Sequence, residues 1–130
     1  MNPRKALREL IAGTGYTMVP GAHDTLTARL VEQAGFAAVY LTGGGYSRAS
    51  GYPDLGLLTM VENVRFIGLT VEAVGIPVIA DADTGYGNAI NVIRTVREYK
   101  KSGVAGLHME DQVSPTKRAF STIVRSPRSG

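Results

Sequence analysis

Apolar residues along the chain fall into two alternating patterns: stripes at helical spacing and short continuous runs. The first stripe is Ala6, Leu7, Leu10 and Ile11, behind Asn2-Pro3 and ahead of Gly13. A capping side chain followed by proline starts a helix, and glycine ends one. The run "YTMVPG" predicts a strand. Asp24 then caps a helix carrying Leu26, Leu30, Val31 and Ala34, which stops at Gly35. "FAAVYLT" is a second run, and "GGGYSRASGYPDLGLL" reads as loop. Thr59 and Glu62 have capping-box spacing, ahead of the stripe Val61, Val64, Ile67, Val71 and Val74. Gly75 and Pro77 end that helix. "PVIADA" is a third run. Asn88 caps a helix that places Val92, Ile93, Val96 and Tyr99 inside, with Lys100 and Lys101 at its negative end and Gly103 as the stop. "VAGLHME" is the fourth run.

The predicted order is a helix followed by β-α-β-α-β-α-β. Continuous apolar strands joined by helices mean an α/β fold with a buried parallel sheet. The pattern leaves two architectures open, a doubly wound sheet and a (β/α)8 barrel. Both keep their chemistry at the carboxyl ends of the strands.

Polar clusters stand at three such ends. The second strand ends in Thr42, Gly43, Gly44 and Gly45. The third ends in Asp81 and Asp83, followed by Gly85-Tyr86-Gly87. The fourth ends in His108, Glu110, Asp111 and Gln112. Paired aspartates near a loop most often cap a helix or fix a turn, three glycines most often make a turn, and a single histidine is most often a core residue. The coincidence at three successive tips points to a site. Carboxylates without thiolates favour a hard, oxygen-seeking ion, Mg²⁺ or Mn²⁺. The glycines do not make a dinucleotide fingerprint, because Arg48 and Tyr46 stand where G-x-G-x-x-G needs glycine, and there is no G-K-[ST] for a P-loop.

Composition narrows the function classes. With 130 residues and 44% hydrophobic content, the chain suits one globular domain. It has no cysteine, so disulfides, thiolate zinc sites and a cysteine nucleophile are excluded. No apolar run nears the ~20 residues that span a bilayer, and the charged N-terminus is unlike a secretory signal. The expected location is cytoplasmic. The net charge of +3 is a local effect: residues 1–114 sum to −1, and residues 115–130 to +4. Four basic residues without interleaved aromatics read as a solvated tail, so neither nucleic acid nor membrane is an expected partner.

Four stretches, "GAHDTLTARLVEQAGFAAVYLTGGG", "GYPDLGLLTM", "PVIADADTGYGNAINVIRTVREY" and "GVAGLHMEDQVSP", resemble the isocitrate lyase / phosphoenolpyruvate mutase superfamily. The likeness is nearest to its short 2-methylisocitrate lyase-like and oxaloacetate decarboxylase-like members, and it ends at Pro115. The resemblance implies the first half, about four β/α units, of a (β/α)8 TIM barrel with an N-terminal helix. It implies Mg²⁺ (or Mn²⁺) and a lyase that cleaves a C–C bond in a small 2-hydroxy or keto carboxylic acid through an enolate. Oxaloacetate decarboxylase and phosphonate P–C bond chemistry are the alternatives within the family. Carried over by position, Asp81 and Asp83 hold the metal, and Asp54 is a gating or metal-side acid. Tyr40, Thr42, Gly43 and Gly44 bind the substrate's carboxylate end, and His108 and Glu110 line the site. Family members are homo-oligomers, with a tetramer expected.

The likeness then breaks. Family lyases follow "EDQ" with a segment ending K-R-C-G-H, whose cysteine supplies a proton and whose lysine lies near the substrate. Here Lys117 and Arg118 follow an extra Thr116, Ala119 takes the place of the cysteine and Phe120 that of the glycine. Residues 1–115 therefore read as a partial barrel, and residues 116–130 as a basic, non-family tail with the character of a frameshifted stretch. The same break supports a reading of another class, a catalytically dead remnant or interaction module.

Overall fold

Each helix begins where the sequence supplies a side chain to hold free amide groups. Asn2 Oδ1 accepts from Arg4 N at 3.0 Å and caps α1 (Pro3–Ala12). Asp24 Oδ1 accepts from Thr27 N at 2.6 Å and caps α2 (Thr25–Gln33). Thr59 and Glu62 form the expected reciprocal box at the head of α4 (Met60–Ala73). Asn88 and Asn91 form a second, unexpected box at the head of α5 (Ala89–Lys101). The computed structural model describes residues 2–113.

The strands are β1 (Gly21–Ala22), β2 (Val39–Leu41), β3 (Val78–Asp81) and β4 (Gly106–His108). All are parallel and lie in the order β1-β2-β3-β4. A doubly wound sheet reverses its order at a switch point and carries helices on both faces. Here every strand is added beside its predecessor. α2 packs on α4 and α4 on α5, so the crossover helices form one layer. Of the two architectures left open by the pattern, this is the barrel topology.

Alternation along the strands divides the residues. Ala22, Val39, Leu41, Val78, Ala80 and Ala82 are buried under the helices with Val31, Phe66, Ile67 and Tyr99. Tyr40, Ile79, Asp81 and His108 point to the opposite, more open face. At the other end of the sheet, Arg4 of α1 donates to the carbonyls of Val104 (3.2 Å) and Lys100 (2.7 Å), and Leu7 packs on Gly106.

Three expectations need correction. "YTMVPG" forms no strand before Gly21, because Pro20 has no N–H for a ladder; only its carbonyl pairs, accepting from Tyr40 N at 3.0 Å. The segment after β2 is not all loop, because Gly43–Ala49 is a helix, α3, capped by Thr42. The inward faces of the helices are also rotated from the predicted stripes. Leu26 and Leu30 of α2, Val61 of α4, and Ile93 and Val96 of α5 are exposed. α5 buries Tyr99 as expected and, unexpectedly, Thr95; the hydroxyls of both find backbone acceptors.

Two stability predictions follow from the helices. The hydrogen bonds from Thr27 hold the Asp24 carboxyl below its ordinary value of 3.8. That cap therefore contributes fully above pH 3.8 and is lost as pH falls through the lower folded value. Asp24→Ala should cost about 1 kcal/mol in urea unfolding at neutral pH, whereas Asp24→Asn should cost little and flatten the acid limb. Gly68, inside α4, has open space where a Cβ would stand. Gly68→Ala should raise stability by roughly 0.5–1 kcal/mol.

Candidate active site at the strand tips

The tips of β2, β3 and β4 converge because parallel strands all present their carboxyl ends on one rim. Asp81 and His108 are lateral partners in the β3–β4 register. Beyond them the ladder continues: Ala82 N donates to His108 O and Glu110 N to Asp83 O, both at 2.8 Å. Alternation then sets Asp81 and Asp83 of one strand end beside His108 and Glu110 of the next. Tyr40 of β2 reaches across, and its hydroxyl shares a 3.3 Å hydrogen bond with His108 Nδ1.

The Asp81 carboxylate joins two tips. Its Oδ1 accepts from Asp83 N at 2.8 Å and its Oδ2 from Gly43 N at 3.2 Å. An ionised carboxylate has about four lone-pair sites, so both oxygens keep capacity for a cation or its water. The three glycines earn their place by close approach rather than by a turn. A Cβ on Gly43 would stand 2.9 Å from Asp81 Oδ2, one on Gly44 2.6 Å from Asp54 Oδ2, and one on Gly45 2.6 Å from the Thr42 methyl. Thr42 Oγ1 accepts from Gly45 N at 3.2 Å. With Gly43 N committed to Asp81, the Gly44 N–H is the donor of this turn without a partner among the described residues.

Charge concentrates at Asp83. Partial burial pushes its carboxyl up from the ordinary value, and the negative charges of Asp81, Glu110 and Asp54 push it further. The Tyr40 hydroxyl is pushed up to about 12, first by burial and then by Asp81. Asp54 lies in the loop after α3, 3.9 Å from Arg48 Nη2. Glu110 accepts from the side chain of Gln112. Asp111 is exposed. Thus Tyr40, Thr42, Gly43, Gly44, Asp54, Asp81, Asp83, His108 and Glu110 share one rim. Lys117 lies outside the described residues. Among the described residues no three His, Asp or Glu side chains enclose a metal site. The rim offers oxygen donors, three of them aspartates, with cation charge in deficit. That suits an ion that keeps most of its waters. Arg48 was not singled out from the sequence, although it is the sole basic residue in residues 43–58.

The family model described as phosphoenolpyruvate phosphomutase matches residues 7–126, a span that runs beyond Pro115. The chain belongs to this phosphoenolpyruvate mutase / isocitrate lyase family. It is 55% identical over 118 residues to 2,3-dimethylmalate lyase of Eubacterium barkeri, covering 90% of this chain and 41% of that protein. It is 45% identical over 115 residues to 2-methylisocitrate lyase of Aeropyrum pernix, covering 88% and 37%. A phosphonopyruvate hydrolase solved with oxalate and Mg²⁺ superposes with a TM-score of 0.83 at 32% identity, covering 98% of this chain and 50% of that one. The fold therefore matches the N-terminal part of the family's barrel. This family chain spans about two-fifths of the length of the curated relatives it matches. No helix among its described residues is long and apolar enough to cross a membrane.

Gly43→Ala should force the Asp81 carboxylate off the β2 tip. The expected cost is about 1–3 kcal/mol in urea unfolding, together with loss of protection of the Gly45 and Tyr46 amides in hydrogen exchange.

Proposed function

We propose that the chain carries the metal- and carboxylate-binding part of a Mg²⁺-dependent lyase that cleaves a C–C bond in a small 2-hydroxy or keto carboxylic acid. The 2-methylisocitrate and 2,3-dimethylmalate lyases among its relatives support that reading. The observation that carries this reading is the uncompensated negative charge around Asp83, on the rim where Asp81 bridges two strand tips. A structurally matching hydrolase solved in complex with oxalate and Mg²⁺ supports the choice of ion and of acid.

Asp81 and Asp83 hold the cation, directly or through water, with Asp54 on its outer side. A divalent cation there supplies positive charge to the oxygen on which negative charge develops in C–C cleavage. The chain's own groups do the rest. The free N–H of Gly44, at the head of α3 and beside Thr42, donates to the substrate's carboxylate end. Tyr40, with its hydroxyl held protonated well above neutral pH and oriented by His108, donates a hydrogen bond to the same end. Glu110 lines the site from β4. The partner is a small carboxylic acid, the assembly a homo-oligomer, and the location cytoplasmic. Residues 1–115 form the barrel part and residues 116–130 a separate basic tail.

Ala119, where the resemblance calls for a proton-donating cysteine, favours a second reading. In it the chain binds the ion and the acid without turnover. Calorimetric titration of the full chain with Mg²⁺, and then with oxalate, tests the first reading. Asp83→Asn should weaken Mg²⁺ at least about tenfold, the scale on which even groups that only orient a ligand matter. Absence of Mg²⁺ uptake by the wild-type chain would overturn it. Assay of 2-methylisocitrate and 2,3-dimethylmalate cleavage separates the two readings.

A further inference from the structure

The loop after β3 holds both non-glycine residues of positive φ found among the described residues. Asp83 (φ 50°) and Tyr86 (φ 61°) are in the left-handed region without being glycine, and Gly85 (φ 98°) and Gly87 (φ 141°) join them. Such conformations cost about 1–3 kcal/mol for each non-glycine residue and persist only where surroundings over-determine them. Part of the surroundings is the strand end itself, where Asp83 N donates to Asp81 Oδ1 and Glu110 N to Asp83 O; the rest comes from one face of α5. Thr95 Oγ1 donates to Gly85 O at 2.8 Å, in preference to the Asn91 carbonyl of its own helix at 3.1 Å. One turn on, the Tyr99 hydroxyl donates to Asp81 O at 2.9 Å. That hydroxyl's proton is spent, so Tyr86 is the donor in the 3.1 Å bond between the two tyrosines. Thr95 and Tyr99 are 1% and 0% exposed. A Cβ on Gly85 would stand 2.5 Å from Val92 Cγ2, so the loop lies directly on the helix.

We infer that Thr95 and Tyr99 are positioning residues: their hydroxyls pin the loop at two carbonyls on either side of Asp83 and so preset the Asp83 carboxylate on the rim. At Thr95 the helix buries a hydroxyl where an apolar side chain would pack, and at Tyr99 it adds a hydroxyl to a core ring, while Ile93 and Val96 stay exposed; both hydroxyls reach backbone next to Asp83. A packing role alone would be met by valine and phenylalanine. The inference rests on the reading of Asp83 as a metal-side group for its consequence, though not for the pinning itself.

The test uses the full chain with Thr95→Val, Thr95→Ser, Tyr99→Phe and the milder Tyr86→Phe. Amide hydrogen exchange over residues 83–87 is compared with that of the β2 and β3 amides, and Mg²⁺ affinity is measured by calorimetry. Thr95→Val and Tyr99→Phe should speed exchange over 83–87 about tenfold, the scale of one lost hydrogen bond, while the strand amides hold. Mg²⁺ affinity should fall by a similar factor, and Thr95→Ser should restore both. Uniform acceleration across the strands, or unchanged exchange over 83–87, would overturn the inference. So would faster loop exchange with Mg²⁺ affinity intact. If Tyr99→Phe does not fold, Thr95→Val against Thr95→Ser carries the same comparison. Loop exchange that responds as expected in a chain whose wild type takes up no Mg²⁺ leaves the pinning standing and removes the metal reading.

Discussion

The Asp81 carboxylate accepts backbone N–H groups from two different strand ends, Gly43 after β2 and Asp83 after β3. Charge-assisted bonds of this kind are roughly twice as strong as neutral ones. They also explain an otherwise costly sequence. Glycine at the head of a helix costs about 1 kcal/mol relative to alanine, and three stand in series here. The close neighbours are Asp81 at Gly43, Asp54 at Gly44, and Thr42 with His23 at Gly45. The rim is thus organised around acids that approach main chain, not around flexible turns.

That arrangement accounts for the dual character of the D-x-D pair. Asp81 fixes a turn, as paired aspartates near loops usually do, and its fixed position is what makes it useful as an oriented anionic oxygen. Asp83 has the opposite character. The backbone amide of Thr84 favours its charge, but burial and the acids around it outweigh that and destabilise the carboxyl as an anion. One acid is held by amides from two strand ends, and the other is half-buried among acids. Membership of a family in which a structural match was solved with Mg²⁺ and oxalate gives that contrast a consistent use.

Local signals were legible at the heads of α1, α2, α4 and α5, where a side chain acts on its own backbone, but not at Thr42 before α3 or in Asn91's half of its capping box. Asn2, Asp24, Thr59 and Asn88 all cap as their spacing predicts, and the strand cores in "FAAVYLT", "PVIADA" and "VAGLHME" all form. The α/β class followed from these, and the family from long ordered motifs around them. Sequence was misleading where burial depends on a distant partner. Hydrophobicity put Tyr99 inside α5 correctly but Ile93 and Val96 wrongly; the helix turns Thr95 inward beside Tyr99, where the carbonyls of Gly85 and Asp81 lie to receive the two hydroxyls.

The residues of the rim were therefore named by the sequence, but not their relationships. Spacing alone places Asp81 and Asp83 at a strand end, since period-two alternation and an abrupt loss of apolar residues are local properties. Strand order β1-β2-β3-β4, which separates a barrel from a doubly wound sheet, depends on which edge each new strand joins. So does the meeting of Gly43 with Asp81, of Asp54 with Gly44, and of Tyr40 with His108, pairs separated in the chain by up to 68 residues. Such contacts are decided by the packing of helices on one face of the sheet, a sum over many residues that no short stretch encodes.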